Sequence, residues 1–278
     1  MSISLISFAD KKYFRSQKIL KQSALQYGVD KVYSYNDVWL KSQKHFYEVN
    51  KKILNKHRGA GFWLWKPFII LERLTKMEDG DILLYVDSGS RFVHDISPII
   101  NIVRKSGIAL FSNDNHKNST WTKRDCFYYM NCDTEEYHNG YQIAACYLAL
   151  QKNSTNIKLV SDWLRFACDE RILTDDSNVC GLPNFEDFKD HRHDQSILSL
   201  LAIKNKIEIF RDPSQWGNPF KMPDYRIENE FLHKNYVDCS FTNSSYPTLI
   251  DAHRIMYPLR KWDKFHLLMN KIALKIKR

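Results

Sequence analysis

The sequence predicts an α/β protein with a mostly parallel central sheet flanked by helices, and three observations carry that prediction. Short β-branched and aromatic runs alternate with helix-length amphipathic stretches across residues 3–111, the pattern of a sheet covered on both sides. The most apolar run, Asp81-Ile-Leu-Leu-Tyr-Val-Asp87, sits between Gly80 and Gly89 as a central strand would. The chain has 278 residues, 44% of them hydrophobic and 14% aromatic, which is ample for a core and excludes disorder as the main state. With only 9 glycines and 8 prolines, collagenous and linker-like readings fail as well.

Taken in order, Ile3 to Phe8 reads as a buried strand that breaks at Asp10-Lys-Lys, and a helix from about Tyr13 to Tyr27 ends at Gly28. Lys31 to Tyr35 is a second strand and Val38 to Lys56 a helix. Pro67 opens the helix Phe68-Ile-Ile-Leu-Glu-Arg-Leu, since a first-turn proline lacks only an N–H that has no partner there. Gly107-Ile-Ala-Leu-Phe111 is another strand. Tyr141 to Leu150 fits strand or helix, and Ile157 to Cys168 is helical. Asp194 stands as the N-cap of Gln195-Ser-Ile-Leu-Ser-Leu-Leu. Ile207 to Phe210 is a short strand, and residues 211–250 form a proline-rich irregular wrap. One domain over residues 1–258 and a basic helix over 259–278 is the economical organisation.

Charge narrows the partners. Basic residues number 41 against 32 acidic, a net +9, which suits nucleic acid, a phospholipid surface or a phosphorylated small molecule. Seven basic residues and one acid between Arg260 and Arg278 supply +6 of that total, so the body is nearly balanced and does not call for a nucleic-acid face. The six cysteines show no C-x-x-C pair and no zinc-like spacing. The N-terminus lacks a basic n-region, and no run approaches the ~20 apolar residues of a membrane span. The expectation is a cytoplasmic protein with free thiols, docked peripherally on the inner face of the membrane through its tail.

Four segments carry chemistry. In open α/β sheets ligands lie beyond the carboxyl ends of strands, where Asp87-Ser88-Gly89-Ser-Arg91 falls. An acid there can hold a divalent cation on a diphosphate; the same residues can equally make a turn with Gly89 at positive φ. His57-Arg58-Gly59-Ala-Gly61-Phe-Trp63-Leu-Trp65-Lys66-Pro67 combines close-approach glycines, stacking tryptophans and cations, suited to a base and its phosphates. Trp121-Thr-Lys123-Arg124-Asp125 can clamp a diphosphate or an acceptor sugar, or form a solvated ion-pair cluster. His191-Arg-His193-Asp194-Gln195 opens a helix; its adjacent residues do not converge on zinc, which leaves Asp194 as a base, an acceptor anchor or a cap.

These segments, in this order and approximate spacing over residues 3–255, resemble bacterial glycosyltransferases of GT-A fold from capsule, O-antigen and lipopolysaccharide loci. The resemblance implies a Rossmann-like nucleotide-sugar domain, a donor that is commonly a UDP-sugar, and a glycan or lipid-linked acceptor. It implies that Asp87 is the first acid of an Asp-x-Asp metal motif and Asp194 the late acid on the acceptor side. Donor contacts then fall to Arg58, Trp63, Trp65, Lys66, Asp87, Ser88, Gly89, Lys123 and Arg124, and acceptor contacts to Asp125, His193 and Gln195. The second acid of the motif is Gly89 here. Mn²⁺ or Mg²⁺ would rest on Asp87 with His253, or no metal is used, and metal dependence stays open.

The tail stands apart. Trp262, Phe265, Met269, Ile272 and Ile276 share one helical face, with Lys264, Lys271, Lys275 and Arg278 roughly opposite, as in helices that lie in anionic lipid interfaces. Two other classes compete with sugar transfer. A nucleotidyltransferase on sugar phosphates would carry a glycine-rich loop after its first strand, which Phe8-Ala-Asp10-Lys-Lys lacks. A non-catalytic basic module binding membrane or nucleic acid would explain the charge but not the buried strand ending in Asp87.

Overall fold

Nine strands can be placed in the computed structural model, which describes residues 1–217 and 241–253, with backbone alone at 114 and 115. They are β1 (Ile3–Ala9), β2 (Lys31–Asn36), β3 (Ile82–Val86), β4 (Arg91–Phe92), β5 (Ile108–Lys117), β6 (Tyr141–Ile143), β7 (Tyr147–Gln151), β8 (Ile209–Phe210) and β9 (Ile250–Asp251). Seven form one sheet in the order β2-β1-β3-β7-β5-β6, with β8 also on β5. β1 pairs in parallel with β2 and β3, and β8 in parallel with β5. β7 runs antiparallel between β3 and β5, and β6 is antiparallel on β5. All but β6 and β7 therefore point one way, and the sheet is largely parallel with one reversed strand at its centre.

The sheet is mostly parallel as expected, and the reversed strand falls where the sequence left strand and helix open. Tyr141 to Leu150, ambiguous between strand and helix, becomes β6, a short connection and β7. A strand buried on both faces has the same residue preferences in either direction, so its apolar run carried no sign of polarity.

Strand alternation divides the core in two. Leu83 and Tyr85 of β3, with Ile6, Phe8, Leu110, Leu148 and Leu150, meet the helices Trp65–Leu74, Ser154–Ala167 and Asp194–Lys204. Ile82, Leu84 and Val86 face the other way with Leu5, Ala109, Phe111 and Ala149, under the helices Phe14–Gln26 and Ser97–Ser106. Asp87 follows in the alternation of Leu83 and Tyr85, so it leaves the sheet on the side of the first helical layer.

The expected helix from Val38 to Lys56 is three short ones, Asp37–Ser42, Lys44–Val49 and Lys51–Leu54. Gln43 (φ −79°, ψ 67°) and Asn50 (φ −106°, ψ 11°) leave helical geometry at the joints. Asn153 caps the Ser154–Ala167 helix by accepting from Asn156 N–H at 2.8 Å. Asp194 is not the cap: it is the first residue of its helix, after His193 at the cap position. Past β8 the chain is held by an isolated bridge from Ser214 to Ile250 and by β4–β9 pairing. Among the described residues no helix is long and apolar enough to cross a membrane. The expected tail helix at 259–278 lies outside the described residues.

Candidate active site

Three of the sequence segments meet at the carboxyl end of β3. Asp87 leaves the strand with its N–H donated to Cys146 O at 2.7 Å, and its carboxylate accepts from the Tyr85 hydroxyl. Lys66, in the first turn of the Trp65–Leu74 helix, reaches Asp194 at 2.7 Å and lies 4.0 Å from Asp87. The same ammonium donates to the Ala145 carbonyl at 3.0 Å and stands 5.3 Å from the centre of the Tyr85 ring. Side-chain exposure is 4% at both Lys66 and Asp194 but 39% at Asp87. The arrangement is thus a chain of acid, base and acid with one end open to solvent.

Its electrostatics follow from burial. Desolvation opposes the charge on Lys66, but Asp194 and Asp87 outweigh it and hold the ammonium above its ordinary range. Burial pushes the Asp194 carboxyl up to about 6, with Asp87 adding to the rise and Lys66 opposing it. The Tyr85 phenol is held well above its usual range by burial and by Asp87, so it remains a donor. A carboxyl poised near neutral pH is suited to moving a proton.

The turn that delivers Lys66 is strained. Gly59, Ala60, Gly61, Phe62 and Trp63 have φ of +58°, +52°, +95°, +52° and +59°. They wind a left-handed turn closed by Phe62 N–H to Arg58 O (2.7 Å) and Trp63 N–H to Gly59 O (3.2 Å). At about 1–2 kcal/mol for each non-glycine residue in this region, Ala60, Phe62 and Trp63 together cost about 3–6 kcal/mol. The glycines are required on two counts. A Cβ on Gly61 would lie 2.6 Å from Leu54 Cα, and one on Gly59 would lie 2.4 Å from the Trp63 ring.

His193 is also strained (φ +53°, ψ −120°) and sits immediately before Asp194. Its ring lies 4.8 Å from Phe62 and 5.6 Å from Trp63, centre to centre. Burial holds both His191 and His193 below their ordinary range. The neutral rings donate through Nε2 to Ile172 O at 2.9 Å and through Nδ1 to Leu173 O at 2.8 Å, the tautomers their carbonyl partners require. Strain of this kind persists only where its surroundings enforce it; here the left-handed turn and residues 172–173 grip the residue that aims Asp194.

The other expected site residues fall into supporting positions. Trp65 is buried, stacked on Phe8 at 4.1 Å, and donates through Nε1 to Gly59 O at 3.0 Å. Ser88 bonds the Phe8 carbonyl and so ties the ends of β1 and β3 together. Ser88 and Gly89 turn the chain, with Ser90 N–H donated to Asp87 O at 3.1 Å, but Gly89 does so without the expected positive φ. Arg58 forks onto Asp175 (3.0 Å) and Asp190 (2.6 Å). Lys123 is buried, donating to Asp176 O at 2.7 Å and Thr174 O at 3.3 Å. Arg124 pairs with Asp133 at 3.1 Å across the Phe185 ring. Asp125 is buried and accepts from Val179 and Cys180 N–H groups at 2.9 Å. Gln195 donates to Gln142 at 3.3 Å. His253 is buried and pushed down to about 4 by desolvation, with Arg91 adding.

Tyr85, Ala145 and Cys146 were missed. Period-2 alternation back from Asp87 points to Tyr85, but nothing local marks Ala145, whose carbonyl reaches Lys66 only because β7 is reversed. The donor set does not make a protein-held metal centre by itself. Asp87 is one carboxylate with an ammonium at 4.0 Å, and no group of three His, Cys, Asp or Glu side chains converges among the described residues.

No protein-family model matches the chain, and no curated protein does. Among solved structures, the apo bifunctional glycosyltransferase WbbM aligns over 72% of this chain and 37% of its own, at 10% identity and a TM-score of 0.42. Apo mouse xyloside xylosyltransferase 1 aligns over 74% of this chain and 82% of its own, at 9% identity and a TM-score of 0.39. The chain spans little more than a third of WbbM.

Proposed function

We propose that this chain is a glycosyltransferase of GT-A type that moves a sugar from a nucleotide-diphosphate sugar to a glycan or lipid-linked acceptor. The observation that carries the reading is the Asp87–Lys66–Asp194 chain at the carboxyl end of the central strand, with Asp87 as its exposed member. β1 neighbours β2 on one side and β3 on the other, and such switch points are where open α/β sheets take nucleotides. The donor base, uracil, rests on the family resemblance alone.

In this reading the acceptor oxygen bonds to the donor sugar's C1 as the C1–O bond to the diphosphate breaks, and the electron pair leaves with the diphosphate. Asp194 takes the hydroxyl proton in an inverting reaction; in a retaining one it orients the hydroxyl, whose proton passes to the departing diphosphate oxygen. Lys66 keeps Asp194 in place and sets its proton affinity. With Lys123 and Arg124 committed to carbonyls and to Asp133, Lys66 is the cation of the early motifs that stays at the site. A divalent cation arriving with the diphosphate would find Asp87 as the exposed carboxylate of this cluster, and no step here depends on it.

The test is thermal stability against nucleotide diphosphates and nucleotide sugars, with and without Mn²⁺. A ligand at ~100 times its dissociation constant adds about 2.7 kcal/mol, and selective stabilisation by one nucleotide family is expected. No stabilisation by any of them would remove the reading. It would favour the basic-module alternative, whose nucleic-acid affinity falls steeply with salt.

A further inference from the structure

Every polar atom of Asp87 but one is held. Its N–H is donated to Cys146 O at 2.7 Å, its carbonyl accepts Ser90 N–H at 3.1 Å, and its Oδ1 accepts from the Tyr85 hydroxyl. Lys66 Nζ lies 4.0 Å from that same Oδ1. Among the described residues nothing bonds Oδ2. The carboxylate is therefore asymmetric, with one oxygen tied inward and the other free, on a side chain that is 39% exposed.

The gap to Lys66 is an arrested contact. An ammonium has three donors, and Lys66 gives two of them to Asp194 at 2.7 Å and to Ala145 O at 3.0 Å. Opposite charges 4.0 Å apart at a buried lysine attract one another. With its backbone pinned at both N–H and carbonyl, Asp87 has only its side-chain torsions left, and a turn about them would close the gap. The Tyr85 hydroxyl stands against that turn. Strand alternation puts Tyr85 and Asp87 on one side of β3. The Tyr85 ring is 0% exposed, with its centre 5.3 Å from the ammonium. A phenol packed on all sides holds Oδ1 through a charge-assisted bond and is itself out of reach of any ligand. Without that hydroxyl two carboxylates would compete for one ammonium. Asp87 would turn inward, and Asp194 would share its lysine.

We propose that Tyr85 is a positioning residue whose hydroxyl keeps Asp87 off Lys66 and presents Oδ2 to the nucleotide donor, which rests on the sugar-transfer reading above. UDP, GDP, CDP and ADP are titrated calorimetrically, each with and without Mn²⁺, and the tightest is carried through Tyr85→Phe, Asp87→Ala and the double variant. Tyr85→Phe keeps the ring and should weaken binding about tenfold, as the loss of one charge-assisted contact does. On the Asp87→Ala background the same change should alter affinity by less than about twofold, because the hydroxyl acts only through the carboxylate. A crystal structure of Tyr85→Phe should show Asp87 hydrogen-bonded to Lys66 instead of 4.0 Å away. Native affinity in Tyr85→Phe overturns the proposal, as does an equal loss on both backgrounds, which is what a packing role gives. An Asp87 that has not moved toward Lys66 overturns it as well. So does a Tyr85→Phe chain that fails to fold, since a hydroxyl that serves only to aim Asp87 is dispensable to the core. A native chain that no nucleotide binds fails the sugar-transfer reading instead, and the crystal structure alone then decides whether Tyr85 holds Asp87.

Discussion

Replacing Lys66 by methionine keeps the length of the side chain and deletes its charge. At an effective dielectric of ~20, the 2.7 Å contact with Asp194 is a gross attraction of about 6 kcal/mol. Desolvation of both partners offsets part of it, and breaking a buried pair from one side typically costs about 3–5 kcal/mol. The loss should depend on pH, and its sign is fixed. The folded value of Asp194, about 6, lies above its ordinary 3.8. Its contribution is therefore complete below the unfolded value and is lost as pH rises through the folded one. Without Lys66 the carboxyl is pushed higher still. The variant's deficit then grows by ~1.4 kcal/mol per pH unit between about 6 and the new value. Urea unfolding of native chain and Lys66→Met at pH 5.5 and 8 should show a gap that is wider at pH 8, by at most about 3 kcal/mol, and Lys66→Met/Asp194→Asn should abolish the widening. A gap equal at both pH values, or unaffected by Asp194→Asn, would refute the assignment of Asp194 as the buried charge that Lys66 supports.

Asp87→Asn and Asp194→Asn should each reduce sugar transfer by at least two orders of magnitude, and Asp87→Asn, at a half-exposed position, should leave the urea midpoint within experimental error. Gly61→Ala should destabilise by more than ~2 kcal/mol in the same assay, because its φ and the Leu54 backbone both exclude a Cβ. Gly80→Ala is the contrast: its φ is also positive but nothing lies within 4 Å, so it should lose only the backbone term, ~1 kcal/mol. Deleting residues 260–278 should release the chain from anionic vesicles, read by co-sedimentation, while nucleotide-induced stabilisation persists; unchanged sedimentation would remove the membrane role of the tail.

The strands of the first half were legible because each is a short apolar run between charged or glycine breaks, and β3 was plain because five consecutive buried residues end in an acid. Asp87, Lys66 and Asp194 could be singled out one at a time, each as a charge beside apolar sequence. Their meeting could not, since it depends on a reversed strand and on a backbone turn of the wrong hand. Lys123, Asp125 and Arg58 resembled ligand groups because a buried or forked structural ion pair uses the same residue types. Their partners at 174, 175, 176, 179, 180 and 190 are remote in sequence, and composition does not announce them.

The reversal of β7 has a kinetic consequence. In a sheet of uniform direction, only strand exits gather at the binding rim, and neighbouring βα units can assemble them stepwise. Here an entrance joins them, so Ala145 and Cys146 meet Lys66 and Asp87 across separations of 79 and 59 residues. Closing such long loops precedes the reward of the contacts they bring. A chain truncated before residue 147 would hold β1, β2 and β3 in sequence yet lack the strand that brings these carbonyls to Lys66 and Asp87. Competence to bind at this rim should therefore appear only after the central sheet is complete, which makes ligand binding a late reporter of folding rather than an early one.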